Sequence, residues 1–168
     1  MKKMVCLLLA AVLLLAGCGG KKETAGFTGS MEELIAKIYE NHGELELKLM
    51  TVAVDLTDAD YVSYNLGIED ASVLSDAAVS EPMIGSIPYS LIALRVKNAA
   101  DAETVARQML EKIDTRKWIC VEADTKTAAV AGDVVMFFMV GSNYAEQVST
   151  ESMVKALDAA VGGAKVIQ

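Results

Sequence analysis

One histidine, three cysteines and a scatter of serines, lysines and acids carry the possible nucleophilic or metal chemistry of this 168-residue chain. Ser152-Met153-Val154-Lys155 places a lysine one helical turn after a serine, the spacing at which an amine takes the proton of an attacking hydroxyl. Enzymes built on that pair need two further elements. The nearest approximations, Ser63-Tyr64-Asn65 and Lys126-Thr127-Ala128, come in the wrong order, the second lacks its glycine, and the chain is small for such a fold. A helix with an exposed serine and lysine is the plainer reading. His42 stands alone, so no histidine-based zinc cluster forms within one chain. Paired with Cys120 it would give a thiolate nucleophile. The plainer readings put His42 at a helix C-terminus, facing the macrodipole, and Cys120 in an apolar run with Trp118, Ile119 and Val121 as a buried small residue. Asp55, Asp58 and Asp60 resemble the opening of a calcium loop, whose oxygen ligands alternate in sequence, yet Asp60 and Leu66 stand where that loop needs glycine and glutamate. A capping box of Thr57 and Asp60 explains them more simply.

The strongest motif is at the start of the chain. Lys2 and Lys3 precede an apolar run from Met4 to Ala16, too short to span a bilayer, and Leu15-Ala16-Gly17-Cys18 follows. Leu-Ala-Gly-Cys resembles the bacterial lipobox, in which small residues admit a peptidase and the cysteine thiol takes a diacylglyceryl group. The expectation is a signal peptide over 1–17, lipidation at Cys18 and an extracytoplasmic protein held at the outer face of the cytoplasmic membrane by its acyl chains. Cys6 then leaves and Cys18 is blocked, so Cys120 is the remaining free thiol and no internal disulfide forms.

Charge points away from nucleic acid. The sequence pI is near 4.7, and the chain without Lys2 and Lys3 holds 13 basic and 23 acidic residues, net −10. Residues 44–76 hold eight acids and one base, Lys48. That segment reads first as a solvated acidic face, with loose cation binding or a basic partner as the sharper alternatives. An anionic membrane repels such a domain.

Residues 19–29, Gly-rich and polar, read as a tether of about 18 Å, so that 18–29 precedes a single domain over 30–168. Ser30 and Glu33 form a capping box that opens a helix over 31–42, stopped by Gly43. Residues 44–50 alternate like a strand, and a short helix ends before Gly67. Residues 77–84 and 90–96 read as strands. Asp101 opens a helix whose face is Ala102, Val105, Ala106, Met109 and Ile113. Residues 127–131 and 134–140 flank Gly132-Asp133 as a hairpin, and a last helix, irregular around Ser149 to Ser152, follows. The expected class is α+β: a two-layer sandwich with a mainly antiparallel four-stranded sheet (ββαββα) and an N-terminal helical segment. Residues 134–140 have no polar alternation, so both faces of that strand need cover, one from the helical layer and the other from residues 31–66 or from a partner chain.

Residues 80–83 (Ser-Glu-Pro-Met), 117–121 (Lys-Trp-Ile-Cys-Val) and 132–135 (Gly-Asp-Val-Val), with the lipobox upstream, resemble a family of small Gram-positive lipoproteins that carry a domain of unknown function. The resemblance spans about residues 31–140. It implies a surface lipoprotein and supplies no cofactor, ligand or catalytic residue. The leading expectation is a non-enzymatic binding or assembly module for a protein or small-molecule partner. The alternatives are a cell-envelope hydrolase or thiol enzyme using Cys120, and a lipoprotein that self-associates through strand 134–140.

Overall fold

A computed structural model describes residues 26–168. The signal segment 1–17 and the lipidation candidate Cys18 lie outside the described residues. Helix α1 (Met31–His42) begins at the expected capping box, with Ser30 Oγ accepting from the Glu33 amide at 3.2 Å and the Glu33 carboxylate accepting from the Ser30 amide at 2.8 Å. Gly43, at φ 99°, ends it in a conformation that side chains disfavour. Strand β1 (Leu49–Ala53) starts later than expected, and half-buried Leu45 and Leu47 approach it along the α1 core. Helix α2 (Ala59–Tyr61) runs into a π turn (Val62–Leu66) and stops at left-handed Gly67. Its cap is Asp58, whose carboxylate accepts from the Tyr61 amide at 3.0 Å. The expected Thr57–Asp60 box does not form, because Asp55 already accepts from the Thr57 amide at 2.9 Å and from its hydroxyl at 2.6 Å.

The remaining elements are β2 (Leu74–Pro82), β3 (Tyr89–Val96), α3 (Ala102–Lys112), β4 (Thr125–Ala131), β5 (Val134–Val140), α4 (Thr150–Val161) and β6 (Lys165–Ile167). The class is α+β, and one sheet runs β1-β2-β3-β5-β4-β6 with every neighbouring pair antiparallel. The sheet has six strands instead of four. The irregularity at Ser149 to Ser152 is the capping box that starts α4.

The helices divide between the two faces, which corrects the two-layer expectation. β5 is central and wholly apolar, so each of its faces requires a cover. Val135, Phe137 and Met139 pack under Val105, Ala106 and Met109 of α3 and under Val62 and Leu66. Val134, Met136, Phe138 and Val140 pack under Leu34, Ile35 and Ile38 of α1 and under Met153 and Leu157 of α4. The doubled ββα unit fails because α3 and α4 take opposite faces, α4 packing beside α1. Residues of β5 are at most 1% exposed, so the open face that self-association through 134–140 requires is already filled by this chain.

Candidate functional site

Antiparallel pairing gives the sheet two unlike ends. Arg95, near the end of β3, meets Asp133 of the β4–β5 turn at 3.4 Å and donates to the Phe27 carbonyl and, at 2.9 Å, to the Gly29 carbonyl. The Met31 amide donates to Asp76 at 2.9 Å. Phe27 and Gly29, which lie inside the expected tether, are thus docked against the sheet. A Cβ at Gly29 would stand 2.3 Å from a Glu33 carboxylate oxygen, so a larger residue there would displace the Glu33 side chain from its capping position.

At the other end, β2, β3, β4 and β5 meet the connections 83–88 and 113–124. Eight residues of β3 put this loop end about 25 Å from the Arg95 end. It carries the two most exposed large apolar side chains among the described residues, Ile119 at 80% and Met83 at 74%, together with Ile84 at 62%. Behind them lies a half-buried ion pair. Lys117 Nζ, with a side chain only 5% exposed, donates to Glu81, and buried Ser90 donates to the same carboxylate oxygen at 2.6 Å. The Lys117 ammonium also lies 5.5 Å from the Trp118 ring centroid. Loop 113–124 is thereby fastened to β2 and β3 while its tip stays open.

On the α1 face of the same end the buried polar groups are neutral. Tyr89 donates to Tyr39 at 3.1 Å, Tyr39 donates to Ser80 at 2.8 Å, and Thr51 donates to Ser80 at 3.0 Å. Burial raises the Tyr39 hydroxyl to about 12 against the opposing pull of its hydrogen bond to Ser80, and burial raises Tyr89 further. Neither knot is visible as a motif, since Glu81 with Lys117 and Tyr39 with Ser80 stand 36 and 41 positions apart. The available signal was polar residues inside apolar strands, Ser80 and Ser90.

The residues singled out by spacing scatter. Ser152 Oγ accepts from the Ser149 amide at 3.0 Å and lies 2.9 Å from the Ser149 carbonyl, serving as a helix cap. His42 Nε2 lies 3.0 Å from that hydroxyl, so the imidazole meets Ser152 and not Cys120, while its buried Nδ1 makes no hydrogen bond. An imidazole with no acid behind Nδ1, facing a hydroxyl already held by a cap, is not a poised base. Ser63 to Asn65 lie on the π turn under the α3 layer, across the sheet from α4, and Lys126 to Ala128 lie on β4. Asp55 and Asp58 are turn and cap residues, and among the described residues no group of three His, Cys, Asp or Glu is placed for a metal ion. Residues 117–121 form no strand. Cys120 is exposed, at a left-handed φ of 63° unusual for a residue with a Cβ, which corrects the buried reading. It borders a cleft of about 300 Å³ with Arg116, Trp118, Val121 and Glu122. Among the described residues no helix is long and apolar enough to cross a membrane.

This site belongs to an α+β protein with an all-antiparallel sheet covered on both faces. No family model, curated protein or solved structure matches the chain.

Proposed function

We propose that the protein is an extracytoplasmic lipoprotein, anchored through lipid on Cys18 at the outer face of the cytoplasmic membrane, whose domain is a non-enzymatic binding or assembly module. The observation that carries the binding part is the loop end. Met83, Ile84 and Ile119 are held exposed on connections fixed by the Lys117–Glu81 pair, at the end of the sheet away from the docked residues 27–31. A chain arriving from a membrane anchor at that far end leaves the apolar loops facing outward. The Leu15 to Cys18 run and the resemblance of residues 80–83, 117–121 and 132–135 support the lipoprotein part. Net charge works against surface contact, so in this reading the lipid holds the acidic domain near an anionic membrane against its own field.

Cys18→Ala leaves an uncleaved, unlipidated precursor in this account, read by mass spectrometry of the membrane fraction. Normal processing of that variant overturns the anchor. The second reading, a hydrolase or thiol enzyme, draws on the exposure of Cys120. It requires that Cys120→Ser abolish turnover while the fold survives.

A further inference from the structure

Among the described residues, β1 is the outermost strand of the sheet and pairs with β2 alone. Its residues Leu49-Met50-Thr51-Val52-Ala53 include no charge and no proline, the usual devices that stop an open edge from pairing. The ladder fixes which backbone groups are free. The Val54 amide donates to the Ala77 carbonyl at 2.9 Å, and antiparallel bonding alternates along the strand. Met50 and Val52 therefore turn their backbone groups toward β2, and Leu49, Thr51 and Ala53 turn theirs outward. The Met50 and Val52 side chains share the α3 face with Glu81 and Val79 and are 51% and 39% exposed.

We infer that β1 pairs antiparallel with β1 of a second copy of this chain, about a two-fold axis through Thr51, joining two sheets into one. In that register the outward residues face each other, Thr51 against Thr51 and Leu49 against Ala53, a large side chain meeting a small one. Each facing pair exchanges two backbone hydrogen bonds. Met50 of each copy falls in the closer, non-hydrogen-bonded position against Val52 of the other, covering both exposed side chains. In this register Lys48 of each copy falls opposite Val54 and beside Asp55 of the other, so the lone base of the acidic segment meets an acid at both ends, whereas parallel pairing would set Lys48 against Lys48. The other free edge differs: β6 is three residues long and begins with exposed Lys165, a blunted edge. A two-fold contact closes on itself as a dimer. Its area lies below the roughly 1,200 Å² of a permanent interface, so the dimer is reversible. β1 runs along the side of the sheet, so the inference depends on neither the anchor nor the loop end.

The test is register-specific crosslinking of full-length chains in their membranes, all carrying Cys120→Ser. Met50 and Val52 are exposed, so cysteine at either position leaves the core untouched. Non-hydrogen-bonded partners have Cα atoms about 4.5 Å apart, within disulfide reach. Chains with Met50→Cys co-expressed with chains with Val52→Cys should form a disulfide dimer under mild oxidation, several-fold above either variant alone or Cys120→Ser alone. Wild-type chains in detergent should associate reversibly, and Met50→Lys/Val52→Lys should stay monomeric while keeping the wild-type circular-dichroism spectrum. Equal crosslinking by each variant alone, no crosslink in the mixture, or a crosslink to a protein of different mass overturns the pairing.

Discussion

Two knots of buried polar groups sit at the same end of the sheet on opposite faces, and they are built differently. On the α3 face, Lys117, Glu81 and Ser90 form a charged knot that ties a loop to two strands. On the α1 face, Tyr89, Tyr39, Ser80 and Thr51 form a neutral relay that ties a helix to the edge strand β1. The difference lies in what each can tolerate losing. A hydroxyl deprived of its partner costs a hydrogen bond, whereas a charge deprived of its partner is left desolvated. The charged knot therefore sets the geometry of the exposed loop end, and the neutral one sets the docking of α1 and β1.

The largest effect should come from breaking the charged knot. Lys117→Ala strands Glu81 beside buried Ser90 and should destabilise the protein by about 2–3 kcal/mol in urea unfolding, the lower part of the buried-pair range because Glu81 is partly exposed. A cost no larger than that of Tyr39→Phe would erase the distinction between the two knots. Tyr39→Phe removes one donor and one acceptor and should cost about 1–2 kcal/mol. It also changes the alkaline limb. The folded Tyr39 hydroxyl is raised to about 12 from the ordinary 10.0, so its contribution is complete below the ordinary value and is lost as pH rises through the folded one. Wild-type stability should fall across that window, and the Tyr39→Phe variant should fall less steeply. A smaller effect belongs to the loop tip. Cys120 holds a left-handed φ of 63°, so Cys120→Gly should match or exceed wild type, and Cys120→Gly should exceed Cys120→Ala by about 1 kcal/mol. Equal stability of the two would show that the tip relaxes on its own.

What was legible in the sequence was local. The Ser30–Glu33 box, the buried face of Ala102, Val105, Ala106, Met109 and Ile113, and the Gly132 turn at φ 64° each depend on neighbours within one helical or hairpin turn. The demand of residues 134–140 for cover on both faces was legible too, because seven apolar residues in a row allow no wet side. Which helix covers which face was not, since α3 and α4 carry similar apolar stripes and only the strand order decides. β1 was placed too early, because the alternation of residues 44–50 runs ahead of the paired strand, and β6 escaped because three residues show no period. The burial of Cys120 was misjudged from its apolar neighbours, although the same run holds Lys117, whose pairing with Glu81 turns the loop outward.

The most direct test of the proposed placement is thiol counting on intact cells with a membrane-impermeant maleimide, followed by mass spectrometry of the labelled protein. The account predicts one label per chain, on Cys120, and none in Cys120→Ser. A second label on Cys18, or labelling of Cys120 only after the cells are broken, contradicts it.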